Sequence, residues 1–143
     1  MRTAMYLFIN RGLGMSPGKI GAQAAHAAVE AYQISDATLV DDWYKGGHYC
    51  KLVMLAEDDM HLMVIKHYIE ERGFQTKLII DEGHTEIRPH STTALGVEVV
   101  DRDDPHTAAT FEEFKLYREK KPEVSEIIPA SWEKPKGQRF WNR

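Results

Sequence analysis

Residues 16–29 read Ser-Pro-Gly-Lys-Ile-Gly-Ala-Gln-Ala-Ala-His-Ala-Ala-Val and set three polar groups, Lys19, Gln23 and His26, into an otherwise small and apolar stretch. At 3.6 residues per turn, spacings of four and seven stack the three on one helix face. A cation, an amide and an imidazole in register can bind an anion, orient a ligand and move a proton. A carboxylate is offered by Asp81, which the apolar run Leu78-Ile79-Ile80 delivers into the turn Glu82-Gly83-His84-Thr85. In open α/β sheets ligands gather at such carboxyl ends of strands, although aspartate also serves simply to cap turns. The run Arg88-Pro89-His90-Ser91-Thr92-Thr93 then supplies hydroxyls just ahead of a further apolar strand.

Several other chemistries are excluded by spacing. Gly14-Met15-Ser16-Pro17-Gly18-Lys19 ends in Gly-Lys at a helix start, but Gly14 is one residue too close to Gly18 for a nucleotide-binding P-loop. Ile20 also stands where that loop needs Ser or Thr for magnesium. What survives is an anion site of the general helix N-terminal kind. His84-Thr85-Glu86 fits the His-x-Glu half of a zinc deaminase site, yet Cys50 is the single cysteine and the Pro-Cys-x-x-Cys half has no source. His61 and His67 are six apart and diverge on a helix, so they do not form the i, i+4 pair of a zinc protease. No metal site is expected. Cys50 lies in an apolar strand pattern and reads as buried filler.

These groups need a scaffold, and 143 residues suffice for one α/β domain with its own core. Residues 4–10 form a continuous apolar strand, the pattern of a central strand covered on both faces. A glycine loop follows, and Ser16-Pro17 is an N-cap with proline at the first helical position, opening a helix over 17–34. A short acidic helix over 36–45 ends at Gly46-Gly47. Strand 49–56, helix 57–72 stopped by Gly73, strand 75–80, strand 93–100 and helix 111–121 complete the series. The order implies an α/β layered structure, a mixed four-stranded sheet flanked by helices. Residues 1–121 are expected as a single domain. Residues 122–143 differ: Pro122, Pro129 and Pro135 separate Trp132 and Phe140-Trp141, the pattern of an extended arm on this domain or on a second subunit.

The net charge is −4, whereas nucleic-acid-binding domains usually carry a basic excess. The charge is unevenly spread. Residues 35–60 hold six acids against Lys45 and Lys51, while the last ten residues hold Lys134, Lys136, Arg139 and Arg143 with no acid. A locally basic face on an acidic protein is therefore available. No run approaches the roughly 18 apolar residues of a membrane span, and the N-terminus reads as a strand, so a cytoplasmic protein without membrane contact is expected.

Taken in order, Gly18-Lys19-Ile20, Gln23, His26-Ala27-Ala28-Val29, Trp43 with Gly47, Leu78-Ile79-x-Asp81-x-Gly83-x-Thr85-x-Ile87-x-Pro89 and Thr93-x-Leu95-Gly96 resemble the type 2 peptidyl-tRNA hydrolase family. The resemblance covers about residues 4–100. It implies a mixed four-stranded α/β fold, a homodimer, hydrolysis of the ester between a peptide and the 3′ end of tRNA, and no metal or organic cofactor. By matching position it assigns catalysis to Lys19, His26, Asp81, Thr85 and Thr93, with Gln23 adjacent; tRNA contacts are expected from Arg11, Lys19, Gln23, His84 and Arg88. The chain departs from the family pattern at Met15-Ser16-Pro17, where Met-Gly-Lys is usual, and at His84, where a cation is usual. Ala25 replaces a serine, Glu82 a small residue and His90 a glycine, and Glu98-Val99-Val100-Asp101 stands where a Gly-Pro-rich end is usual. Two lost cations bear on tRNA affinity more than on chemistry.

Ester hydrolysis needs an activated water, a stabilised oxyanion and a proton for the leaving 3′ oxygen. Asp81, with His26, is expected to activate water. Lys19 is expected to face the oxyanion or a terminal phosphate, and Thr85 and Thr93 to donate hydrogen bonds. A covalent route is disfavoured, because no Ser/His/Asp arrangement is recognisable. The alternative is a non-catalytic module of the same fold that binds a tRNA end or a protein partner, and a third reading makes the C-terminal arm an assembly device.

Overall fold

A computed structural model describes residues 1–82 and 91–118. The elements are β1 (Thr3–Asn10), a 3₁₀ turn (Arg11–Leu13), α1 (Pro17–Ile34), α2 (Ala37–Lys45), β2 (Lys51–Ala56) and α3 (Asp59–Glu71). They continue with β3 (Thr76–Asp81), β4 (Ser91–Val97), β5 (Val100–Asp101) and α4 (Pro105–Phe111). The four main strands run β2-β1-β4-β3, and the two-residue β5 adds a fifth by pairing with the start of β1. β1 is parallel to β2 and antiparallel to β4, which is antiparallel to β3. The carboxyl ends of β1, β2 and β3 therefore share one edge of the sheet.

All eight residues of β1 are buried, as its unbroken apolar run requires of a central strand. Met5, Leu7 and Ile9 point to one face, where Ala27, Ala31 and Trp43 of α1 and α2 cover them. Tyr6 and Phe8 point to the other, against Leu62, Ile65 and Ile69 of α3 and Phe111 of α4. Helix starts follow local chemistry: Ser16, Asp36, Asp58 and Asp104 are N-caps whose side chains accept first-turn N–H groups.

Three expectations change. Helix 111–121 is replaced by α4 over Pro105–Phe111, because Asp104-Pro105 is itself a cap-and-proline start and sets the register earlier. Beyond it Leu55 N donates to Lys115 O at 2.8 Å and Tyr117 N to Val53 O at 2.9 Å, so residues 115–117 run extended along the outer edge of β2. The strand over 93–100 splits into β4 and β5, since the amide of Val99 turns away to donate to Ser35 Oγ at 2.8 Å. Strand 49–56 begins only at Lys51, because His48 and Tyr49 adopt left-handed φ values of 53° and 57°. Cys50 thus precedes the strand, half-buried, and its carbonyl accepts the Trp43 indole N–H at 2.9 Å. The expected arm over 122–143 lies outside the described residues.

Helix α1 lies unusually close to β4. A Cβ built on Gly96 overlaps the carbonyl oxygen of Ala27 and meets the Ala27 carbonyl carbon and Ala31 Cβ at 3.1 Å. The small residues of the helix and a glycine in the strand are one device. Gly96→Ala should lower stability by about 1–3 kcal/mol, the usual range for overpacking; denaturant unfolding with an unchanged midpoint would refute the close approach.

Candidate active site

Asp81 closes β3 at the carboxyl edge of the sheet and Lys19 stands in the first turn of α1, 62 positions earlier. The first-turn position of Lys19 is set by the Ser16 cap, whose Oγ accepts Lys19 N at 3.3 Å. Its Nζ reaches Asp81 Oδ1 at 3.0 Å, with the two side chains only 8% and 10% exposed. An ion pair so withdrawn from water persists because each partner compensates the other.

One turn on, Gln23 is buried at 2% exposure and its Oε1 accepts from the fully buried Thr93 Oγ1. Thr93 Oγ1 also faces Ile79 O at 3.4 Å. A bulge creates this contact: Ile79 pairs with Ala94 but Ile80 with Thr92, so Thr93 is an extra residue in β4. Strict alternation puts Ala94 and Gly96 on the α1 face and would send Thr93 to the opposite one. The bulge turns Thr93 back toward α1 and leaves Thr92 facing α3, where its hydroxyl meets Asp59 Oδ1 at 3.1 Å.

His26, the third member of the stripe, is exposed at the mouth of a cavity of about 380 Å³. The cavity is lined by Gln23, His26 and Glu30 of α1 and by residues 77–81 of β3. The structure therefore joins Lys19, Gln23, His26, Asp81 and Thr93 around one site. Arg11 is not among them: its guanidinium pairs with Glu57 at 2.5 Å and borders a second concavity on the β2 side with Lys115 and Arg118. Thr85, His84 and Arg88 lie outside the described residues. Among the described residues no group of three or more His, Cys, Asp and Glu is placed to hold a metal ion.

Asn10 and Asp59 were missed by the sequence reading. Asn10, 1% exposed, donates through Nδ2 to Asp59 Oδ1 at 2.6 Å and to Thr92 O at 2.9 Å. This buried amide ties the ends of β1, α3 and β4 together next to the bulge. A polar residue closing an otherwise apolar central strand was the available signal.

The family model described as peptidyl-tRNA hydrolase PTH2 matches residues 3–117. The chain belongs to this family. The match runs beyond residue 100 and takes in the extended segment 115–117. A probable peptidyl-tRNA hydrolase 2 of Schizosaccharomyces pombe is 35% identical over 99 residues, 67% of this chain and 48% of its own. The mitochondrial peptidyl-tRNA hydrolase 2 of Homo sapiens is 35% identical over 99 residues, 65% of this chain and 53% of its own. The peptidyl-tRNA hydrolase of Pyrobaculum aerophilum is 36% identical over 112 residues, 71% of this chain and 92% of its own. The chain thus spans about half the length of the first two PTH2 relatives and nearly all of the third.

Removing one member of a buried ion pair takes away the charge that offsets the desolvation of the other. Lys19→Met should cost about 3–5 kcal/mol in denaturant unfolding, and Lys19→Met with Asp81→Leu should recover most of it. A single variant as stable as the parent would show that the pair does not contribute to stability.

Proposed function

We propose that this protein hydrolyses the ester joining a peptide to the 3′ end of tRNA, through the site around Lys19 and Asp81. The observation that carries the reading is the withdrawn Lys19–Asp81 pair, whose Asp81 lines a cavity together with His26, within a chain of the PTH2 family. Asp81 orients water and takes its proton, and the resulting hydroxide adds to the ester carbonyl. Lys19 then offsets the negative charge on the tetrahedral oxygen. Collapse expels the ribose 3′ oxygen, which takes a proton relayed by His26 at the cavity mouth. Thr93 is fully buried and bonded to Gln23, so it acts by holding Gln23 and α1 against β4, while Gln23 itself lines the cavity. Thr85 remains assigned to hydrogen bonding at the reacting carbonyl.

For tRNA, contacts fall to Lys19, to His84 and Arg88 of the segment outside the described residues, and to Arg11, whose phosphate contact is on the β2 side, beside Lys115 and Arg118. It includes a homodimer in the cytoplasm and a domain ending near residue 121 with a basic aromatic extension. Among the described residues no helix is long and apolar enough to cross a membrane.

Incubation with N-acetyl-aminoacyl-tRNA tests the reaction directly. The wild type should release free tRNA, and Asp81→Asn, which keeps an oxygen for Lys19, should unfold cooperatively yet lose at least about 100-fold in kcat. Full turnover in that variant would remove Asp81 from the mechanism. Binding of the wild type to the tRNA without any ester release would favour the non-catalytic module instead.

A further inference from the structure

β3 is the last strand of the sheet, and among the described residues it pairs with β4 alone. The orientation of its main chain follows from its contacts. Gln75 donates its N–H to a Glu98 carboxylate oxygen and accepts Glu98 N at 3.1 Å, and Ile79 O faces Thr93 Oγ1. Both partners lie on the β4 side. Because N–H and C=O of one strand residue point the same way and alternate along the chain, Gln75, Lys77 and Ile79 aim at β4. Thr76, Leu78 and Ile80 aim outward. The bulge does not disturb this alternation, since its extra residue belongs to β4.

The outward edge borders the active-site cavity along its length, from Asp81 at one end to Lys77 at the other, with His26 and Glu30 of α1 opposite. Edge strands are normally blunted against pairing by charge, proline or a bulge of their own. β3 carries only Lys77 and Asp81, the second of them engaged by Lys19, with no proline or bulge of its own, and Ile80 is half exposed on it. An edge left open to pairing therefore runs directly into the catalytic pair.

We propose that the peptide portion of the substrate lies extended along the outer edge of β3, hydrogen-bonded to the main chain of Leu78 and Ile80, with its ester carbonyl at Lys19 and Asp81. This rests on the hydrolase reading and deepens it. Peptides esterified to tRNA share a backbone and differ in side chains, so main-chain pairing is the recognition that serves them all. The ester is at the peptide's carboxyl terminus and must sit at the Asp81 end, so the peptide runs parallel to β3. At about 3.3 Å per residue, the stretch from Asp81 to Lys77 accommodates roughly four peptide residues.

Two measurements test it. With tRNA esters carrying one, two, four and six residues, kcat/KM should rise up to about four residues and then level off. N-methylation of the peptide amides should lower it by about tenfold at alternate positions and leave the intervening ones unaffected. In a second experiment, the Asp81→Asn protein is saturated with tetrapeptidyl-tRNA and amide hydrogen exchange is followed; the Leu78 and Ile80 amides should slow while Lys77 and Ile79 keep their free-protein rates. Absence of protection at Leu78 and Ile80, or cleavage of the one-residue ester as fast as of the tetrapeptidyl ester, would overturn the edge assignment while leaving the hydrolase reading intact. Protection at these amides without cleavage of any ester would uphold the edge and overturn the hydrolase reading.

Discussion

The distance between helix α1 and strand β4 governs the candidate site. Gly96 has no side chain, and Ala27 and Ala31 have only methyl groups, so the helix settles almost onto the backbone of the sheet. That approach is what lets Lys19, a residue on the first turn of α1, reach the end of β3 and hold Asp81 at 3.0 Å. A larger residue at the contact would lift the helix, and the ion pair and the Gln23–Thr93 bond would be strained together. The alanine-rich composition of α1 is thus tied to the chemistry through a packing requirement.

The bulge in β4 does complementary work from the opposite side. It places Thr93 and Ala94 on the same face, so that a hydroxyl rather than a solvent-filled gap meets the buried Gln23 amide. Asn10 secures the same region from below by bonding both Asp59 and the carbonyl of Thr92. Buried polar groups of this sort must be satisfied to be tolerated, and here their partners come from α1, α3 and three strands. The ion pair and the exposed His26 are consequently mounted on a frame of satisfied hydrogen bonds.

Much of this was legible in the sequence because it depends on short-range patterns. The register of Lys19, Gln23 and His26 follows from helix periodicity, the start of α1 from Ser16-Pro17, and the position of Asp81 from the apolar strand before it. The parts that were not legible depend on pairing between distant segments. Nothing local marks Thr93 as the extra residue of a bulge, since the register of β4 is set by β1 and β3. Arg11 lies beside the glycine loop, but Glu57 draws it to the β2 side. The helix expected over 111–121 fails because the segment after Phe111 is held by a distant partner: its backbone pairs with β2 and Phe114 packs edge-on against Phe8. Asp104-Pro105 is the local signal that starts α4 earlier.

The central claim is that Lys19 and Asp81 act as one unit on the ester. A double-variant cycle on the cleavage of N-acetyl-aminoacyl-tRNA measures this most directly, using Lys19→Met, Asp81→Asn and the two combined. If the residues form one unit, the combined variant should be no slower than the worse single variant, within a few-fold. Losses in kcat/KM that multiply in the combined variant would contradict it, showing that the two groups serve the reaction independently.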